Sequence, residues 1–369
     1  MLNKQIYYTK PSITDLEVNY VIDAIKNGWG ESCYDYIYKF QDTFKKYIGT
    51  KYAMATSSCT GAIHMALSSL GITKDDEVIV PDSTWIASVS PITYLCAKPV
   101  FVDVLEDTWC IDPKKIEKAI TPKTKAIIVV HLYGNVCDMD SIMQIAKKYN
   151  LKVIEDCAEA IGSEYKGKKV GSIGDIGVFS FHGTKTMTTG EGGMIVTNDK
   201  KLFDELEILS NHGREKKNHS AFWMSKIGFK YKMSNIQAAL GLAQIQRIEE
   251  LVDKKRLVFK WYKEKLSKYP NMSMNKESED TFNSYWMPTI IIDNIDENKK
   301  NYIIGEMIKK NIQVRTFFYP VSMFDMFQRC DNKVAYNFSQ KGINLPSYFE
   351  VNEEETVYVI NEIIKLLNY

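Results

Sequence analysis

The sequence predicts an α/β protein: a mostly parallel central sheet covered on both faces by helices, then a smaller α+β part. Three observations lead there. Short Val/Ile-rich runs alternate with helical stretches through the first 250 residues. Those runs are continuously apolar rather than alternating, which suits strands buried on both faces. Beyond residue 250 the pattern changes to longer helices and isolated strands.

The elements follow in order. Strands are predicted at 77–81 (EVIVP), 99–104 (PVFVDV), 126–131 (AIIVVH), 152–155 (KVIE), 177–181 (GVFSF) and 193–197 (GMIVT). Helices are predicted at 61–70, 85–95, 113–119 and 140–149. Residues 235–267 read as one long helix or two, with Ile236, Ala239, Leu240, Ala243 and Ile248 at helical spacing. A polar loop at 268–278 separates this from a strand (288–292), a helix (299–310), a strand (313–316) and a closing helix (354–367). The expected division is a large domain over 1–250 and a small one over 251–369.

Composition excludes several classes. The 369 residues carry 47 Lys plus Arg against 46 Asp plus Glu, a formal charge of +1. Such a balance gives no overall field for nucleic acid or an anionic membrane. No window approaches a membrane span, and the N-terminus shows no apolar leader. The seven cysteines (33, 59, 96, 110, 137, 157, 330) are scattered and form no C-x-x-C, so neither a disulfide framework nor a structural zinc site is expected. The five histidines suggest no metal cluster. Sequons at Asn218, Asn271 and Asn337 then read as chance, and the expected compartment is a reducing cytoplasm.

Four short segments carry chemistry. In 178–193 (VFSFHGTKTMTTGEGG) a strand ends and Lys185 follows within a Thr/Gly-rich turn. Open α/β sheets place ligands at that edge. Asp156 directly follows an apolar strand; it is either a helix N-cap or the partner of a protonated pyridine nitrogen. The run Thr56-Ser-Ser-Cys-Thr60-Gly61 opens a helix, which serves plain capping or anion binding. Trp85 stands just past a strand end, as core or as a stacking surface for a flat cofactor. Residues 162–169 (GSEYKGKK) nearly fit a phosphate-binding loop, but Lys169 stands where Ser or Thr is required, so a hairpin tip is the better reading. Together, anion turn, stacking aromatic, ring-pairing acid and lysine offer one handle for each part of pyridoxal 5′-phosphate.

These stretches, with 131–134 (HLYG), 155–160 (EDCAEA) and 228–239 (GFKYKMSNIQAA), resemble the DegT/DnrJ/StrS sugar aminotransferases. The resemblance spans nearly the whole chain and implies an aspartate aminotransferase-like (fold type I) architecture. Within the family the pattern is most similar to the GDP-perosamine synthase branch, which aminates a 4-keto-6-deoxy sugar nucleotide. It implies that Lys185 is the Schiff-base lysine and the catalytic acid/base, and Asp156 the pyridine-nitrogen partner. Glu159 would reach the ring hydroxyl, Trp85 would stack on the ring, and Cys59, Thr60 and Ser180 would hold the phosphate. Lys230 stands where the family has an Asn that contacts that phosphate across a dimer, so a homodimer with shared active sites is implied. His182, Tyr319, Trp29 and Lys232 fall in the substrate region.

The implied reaction moves an amine from L-glutamate to a keto sugar nucleotide, in glycan or capsule biosynthesis. Departures cluster near the substrate. The family's His-Pro-x-His loop reads Tyr319-Pro-Val-Ser322, and its Arg is Lys232. They motivate, as an alternative, a smaller keto-phosphate or cyclitol substrate; a cofactor-binding regulator without catalysis is the alternative from another class, and Lys185 and Asp156 weigh against it.

Overall fold

A computed structural model describes residues 4–215 and 223–368. Its centre is a seven-stranded sheet. The strands are β1 (Tyr52–Thr56), β2 (Glu77–Pro81), β3 (Lys98–Val102), β4 (Thr124–Val130), β5 (Lys152–Asp156), β8 (Ile176–Ser180) and β9 (Gly193–Thr197), with β6 (Glu164–Tyr165) and β7 (Lys168–Lys169) forming a side hairpin. The order across the sheet is β1-β9-β8-β5-β4-β2-β3. Neighbours pair parallel except β9, which is antiparallel to both β8 and β1. Every residue of β2 and β9 is buried, as continuous apolar runs require.

Helices cover the sheet: α1 (Asp15–Asn27), α2 (Asp35–Ile48), α3 (Cys59–Ser69), α4 (Ser90–Tyr94), α5 (Pro113–Ala119), α6 (Met139–Tyr149), α7 (Lys200–Ser210) and α8 (Asn235–Gln246). In α2 the buried Ile37, Phe40, Phe44 and Ile48 recur at helical spacing, and Gly49 ends the helix in the left-handed region. Phe40 and Phe44 pack on Phe181, at ring-centroid distances of 5.3 and 5.5 Å. Helix α2 therefore braces the end of β8, from which the Lys185 turn departs.

The structure refines several expectations. The region 85–95 is not one helix. A 3-10 turn (Ile86–Ser88) is followed by α4, because Pro91 has no N–H and its ring clashes with the carbonyl four residues earlier. Residues 235–267 are two helices, α8 and α9 (Ile248–Leu266), parted at Arg247. The near phosphate-loop match is a hairpin: β6 and β7 pair antiparallel, and Lys166 and Gly167 at its tip both take positive φ, 50° and 73°.

The chain continues with β10 (Met272–Ser273), β11 (Thr281–Phe282), β12 (Thr289–Ile292), α10 (Glu297–Lys309), β13 (Arg315–Thr316), α11 (Lys333–Lys341), β14 (Gly342–Asn344) and α12 (Glu353–Leu367). An antiparallel sheet ordered β10-β12-β14-β13 packs against α9, α10 and α12 through Tyr262, Ile290, Ile303, Ile343 and Ile360. Strand β11 instead joins the β6–β7 hairpin. Among the described residues no helix is long and apolar enough to cross a membrane.

The α8–α9 break is tied to α1. Glu17 is 1% exposed, and its carboxylate accepts four hydrogen bonds: the Thr14 N–H and hydroxyl (2.7 and 2.6 Å), Gln244 Nε2 (2.7 Å) and Arg247 Nη1 (2.8 Å). Burial alone would raise its pKa, but these donors outweigh burial and hold it at about 2, below the ordinary 4.5. A folded-state pKa below the unfolded one stabilises the fold above pH 4.5, and that contribution disappears as pH falls towards 2. Acid unfolding of Glu17→Gln is expected to lose up to one proton's share of the pH dependence in that window, about 1.4 kcal/mol per pH unit. Equal acid slopes in wild type and variant, read from urea midpoints at stepped pH, would contradict this.

Candidate active site

Strands β1, β2, β4, β5 and β8 all end at one edge of the sheet, and β9 begins there. Register aligns the ends: Gly193 opposes Ser180 on one side and Thr56 on the other, while Val130 opposes Asp156. The turns leaving these ends enclose a cavity of about 480 Å³, closed on its far side by Tyr8, Trp286, Arg315, Phe318 and Asn344.

Lys185 enters this cavity with its side chain 14% exposed. Its Nζ lies 3.3 Å from Glu159 Oε1 and 3.8 Å from the centre of the Trp286 ring. The Trp286 indole N–H donates to the Thr184 carbonyl at 2.7 Å, which fixes the ring beside the lysine's own turn. The other Glu159 oxygen accepts the Tyr133 N–H at 2.9 Å. Burial pushes the Glu159 carboxyl above its ordinary pKa, with Lys185 and the Tyr133 N–H opposing it.

Asp156 is 4% exposed at the end of β5. Its Oδ2 accepts the Ser88 hydroxyl at 2.7 Å, and its Oδ1 the Ala158 N–H at 3.0 Å. Burial still raises its pKa, against the bonds from Ser88 and Ala158 and the charge of Lys185. This carboxylate is therefore short of positive charge. The preceding Glu155 points to the opposite face of the strand. Its Oε1 accepts the N–H groups of Ile173 (2.7 Å) and Gly174 (2.6 Å); its Oε2 accepts Gly171 N–H (2.8 Å) and His131 Nε2 (3.1 Å). His131, Glu155 and Cys157 lie close enough to hold a metal ion, yet both Glu155 oxygens are already occupied as a strut under Asp156.

At the other end Ser58 caps α3, accepting the Gly61 N–H at 3.0 Å. The N–H groups of Cys59 and Thr60 belong to the first turn, where no intrahelical carbonyl can meet them. That leaves donors and the positive helix end facing the cavity. Gly193 makes room for the turn: a Cβ there would sit 2.7 Å from the Cys59 nitrogen. Cys59 has no positive φ, so a side chain is tolerated at this position. Burial, then the nearby Asp156 charge, pushes its thiol well up, which keeps it neutral.

The cavity thus collects Lys185, Asp156, Glu159, Trp85, Cys59, Thr60, Ser180 and His182. Trp85 offers a half-open ring, tilted against Phe318 at 5.9 Å. Four other sequence-derived residues lie elsewhere. Lys230 is exposed. Lys232 sits over the Tyr34 ring, 4.9 Å away, on the wall of a separate cavity. Trp29 is exposed and donates to the Ile25 carbonyl. Tyr319 donates to Glu297 at 3.0 Å. Sequence reasoning missed Ser88, Tyr133, Trp286, Arg315 and Asn344. A serine in a helical stretch carries no chemical signature, and Trp286 lies about a hundred residues from the lysine it covers.

The site fits pyridoxal 5′-phosphate on its own geometry. A buried carboxylate lacking a countercharge suits a protonated ring nitrogen, free donors at a helix N-terminus suit a phosphate, and an exposed indole suits a flat ring between them.

The comparisons agree with this geometry. Residues 11–364 match the model of the DegT/DnrJ/EryC1/StrS aminotransferase family. The chain is 43% identical over 362 residues to the GDP-perosamine synthase of Escherichia coli O157:H7, covering 98% of each. It is 37% identical to the Vibrio cholerae GDP-perosamine synthase, covering 97% of this chain and 98% of that one. Among solved structures, the PLP form of Spr1654 from Streptococcus pneumoniae superposes with a TM-score of 0.91 at 29% identity, covering 99% of both chains. The aminotransferase PseC of Helicobacter pylori, involved in pseudoaminic acid biosynthesis, gives 0.91 at 25% identity, covering 99% of this chain and 100% of its own. The chain belongs to the DegT/DnrJ/EryC1/StrS family and is a pyridoxal phosphate-dependent aminotransferase of the aspartate aminotransferase-like fold.

Proposed function

We propose that the chain transfers an amine from L-glutamate to the keto group of a 4-keto-6-deoxy sugar nucleotide, in the cytoplasm, for a surface polysaccharide or capsule. One observation carries the chemistry: a lysine amine 3.3 Å from a buried glutamate, in one cavity with a buried aspartate and an anion-binding turn. The substrate class rests on similarity to two GDP-perosamine synthases across nearly the full chain.

When bound, pyridoxal 5′-phosphate supplies an electron sink and a carrier for the amine. Residues of this chain do the rest. Lys185 Nζ takes the proton from the donor's Cα and returns it on the acceptor side, as general base and then acid. Glu159 and the Trp286 face hold that amine in position. Asp156, fixed by Ser88, would keep a proton on the ring nitrogen. Trp85 would stack on the ring, and Cys59, Thr60 and Ser180 would hold the phosphate. His182 borders the substrate, and residues 1–250 and 251–369 form the two parts that meet over it.

Lys230, Lys232 and Trp29 act in this reading from a second copy of the chain, completing a shared active site. Exposed Trp223, Met224 and Ile227, on the segment leading to Lys230, suit burial in such a homodimer.

Two measurements test this. The purified protein with cofactor is expected to show a visible band that shifts to the near ultraviolet on L-glutamate and returns when the keto sugar nucleotide is added. Lys185→Ala should lack the band. A shift reversed only by small keto-phosphates would move the substrate assignment. The second concerns Asp156: Ser88→Ala removes a hydrogen bond to its carboxylate and lets burial raise its pKa further. Cofactor affinity, followed by fluorescence quenching, is expected to fall roughly tenfold or more. Unchanged affinity would remove Ser88 from the site.

A further inference from the structure

Resting on the aminotransferase reading of this site, we propose that Lys255 is a positioning residue: acting through Ser347, it holds Trp286 over Lys185. Lys255 lies on α9, is 8% exposed, and does not line the cavity. Its Nζ donates to the Ser347 carbonyl and, at 3.0 Å, to the Ser347 hydroxyl. That hydroxyl donates in turn to the Trp286 carbonyl at 3.2 Å, and the Ser347 N–H donates to the Tyr8 carbonyl at 2.8 Å. Trp286 and Tyr8 both belong to the cavity wall, and the Trp286 ring lies 3.8 Å from Lys185 Nζ. A buried ammonium thus stands two hydrogen bonds from the residue that covers the lysine.

The backbone before Trp286 needs such a hold. Tyr285 takes φ 51°, in the left-handed region that a bulky side chain adopts only when its surroundings impose it. Phe259, one helical turn past Lys255 on the same face of α9, stacks on the Tyr285 ring at 3.6 Å. Helix α9 therefore grips residue 285 by its ring and residue 286 by its carbonyl.

The direction of the Ser347 hydroxyl depends on the lysine's charge. An ammonium has three donors and no acceptor, so Ser347 must accept from it, which turns the hydroxyl proton towards Trp286. A neutral amine has a lone pair, can take that proton, and leaves the Trp286 carbonyl without its donor. Among the described residues, Lys255 is paired with no carboxylate, and the ionisable groups around this segment are engaged elsewhere. Glu355 takes Lys4 and the Tyr348 hydroxyl, and Glu350 takes Lys10. On α9 itself, Lys254 and Tyr262 donate to the Val351 and Pro346 carbonyls, and Arg256 pairs with Glu277. The Tyr8 hydroxyl faces Asn344. Burial alone therefore acts on Lys255 and lowers its pKa from 10.5 to about 7. Below that pH the Trp286 carbonyl keeps its donor; above it the donor is withdrawn and the indole is freer over Lys185.

The test labels the full-length protein with 5-fluorotryptophan and assigns the Trp286 fluorine signal by its absence from Trp286→Phe. Wild type, Lys255→Met and Ser347→Ala are followed from pH 6 to 9, with cofactor and without. The wild-type signal is expected to move with a midpoint of about pH 7. In both variants it should stay near the wild type's high-pH position throughout. Ser347→Ala keeps the lysine and its bond to the backbone carbonyl, so it cuts the link without emptying the core. In the cofactor-loaded proteins, the rate of the L-glutamate spectral shift is measured over the same range. Wild type is expected to exceed the variants roughly three- to tenfold at pH 6 and to approach them at pH 9. Asp156 and Glu159 are common to all three proteins, so their titration cancels in the ratio. A merely structural role for Lys255 would lower the rates equally at every pH, and that outcome overturns the proposal. So does a wild-type signal that does not titrate near pH 7, or a titration that survives in both variants. Wild-type protein that ignores L-glutamate overturns the donor assignment instead, and the fluorine signal still decides whether Lys255 holds Trp286.

Discussion

The site depends on one strand running the wrong way. If β9 were parallel to its neighbours, Gly193 would lie at the opposite edge of the sheet from Thr56, Ser180 and Asp156. Because β9 is antiparallel, it starts where β1 and β8 end, and register places Gly193 between Thr56 and Ser180. The turn into α3 then lies beside the turn that carries Lys185. A glycine at that meeting point is a steric requirement, since backbone on both sides lies within 3 Å of any added Cβ.

Charge is arranged around a shortage. Two carboxylates, Asp156 and Glu159, are buried beside one lysine, and burial raises the pKa of both. Left alone, such an arrangement costs stability. Local donors, Ser88 and two backbone N–H groups, offset only part of it. A positively charged ring nitrogen would meet the remainder. The protein is thus organised electrostatically for its cofactor before the cofactor arrives.

Much of this was legible in the sequence, and the reasons are physical. Buried parallel strands need continuous apolar runs, so β2, β5, β8 and β9 could be read directly, and chemistry concentrates at their ends. Strand β1 (YAMAT) could not: it lacks Val and Ile and is held by pairing along β9. Helices α1 and α2 escaped because their apolar residues are interleaved with charge; both pack on α8, and α2 also on Phe179 and Phe181. The Pro91 break was available in the sequence but was outweighed by helical spacing. On the cofactor side, Lys185 and Asp156 stand next to strands that announce them. Ser88, Trp286 and Arg315 become meaningful only in three dimensions, as they come from segments with no motif of their own. Lys230, Lys232 and Trp29 were legible only through resemblance, and in a single chain they stand apart from the cavity.

The wall opposite the large sheet has a consequence in time. Lys185 is covered by Trp286, and the same wall draws on Tyr8, Arg315 and Asn344, so residues from both ends of the chain close one chamber. During synthesis, all seven strands of the central sheet can leave the ribosome before Trp286 exists. At that stage the anion turn and Asp156 can be in place while the lysine stands open to water. Contacts between such distant segments form late, after long loops have closed. Acquisition of the cofactor's colour would therefore mark completion of the whole chain rather than of the domain that binds it.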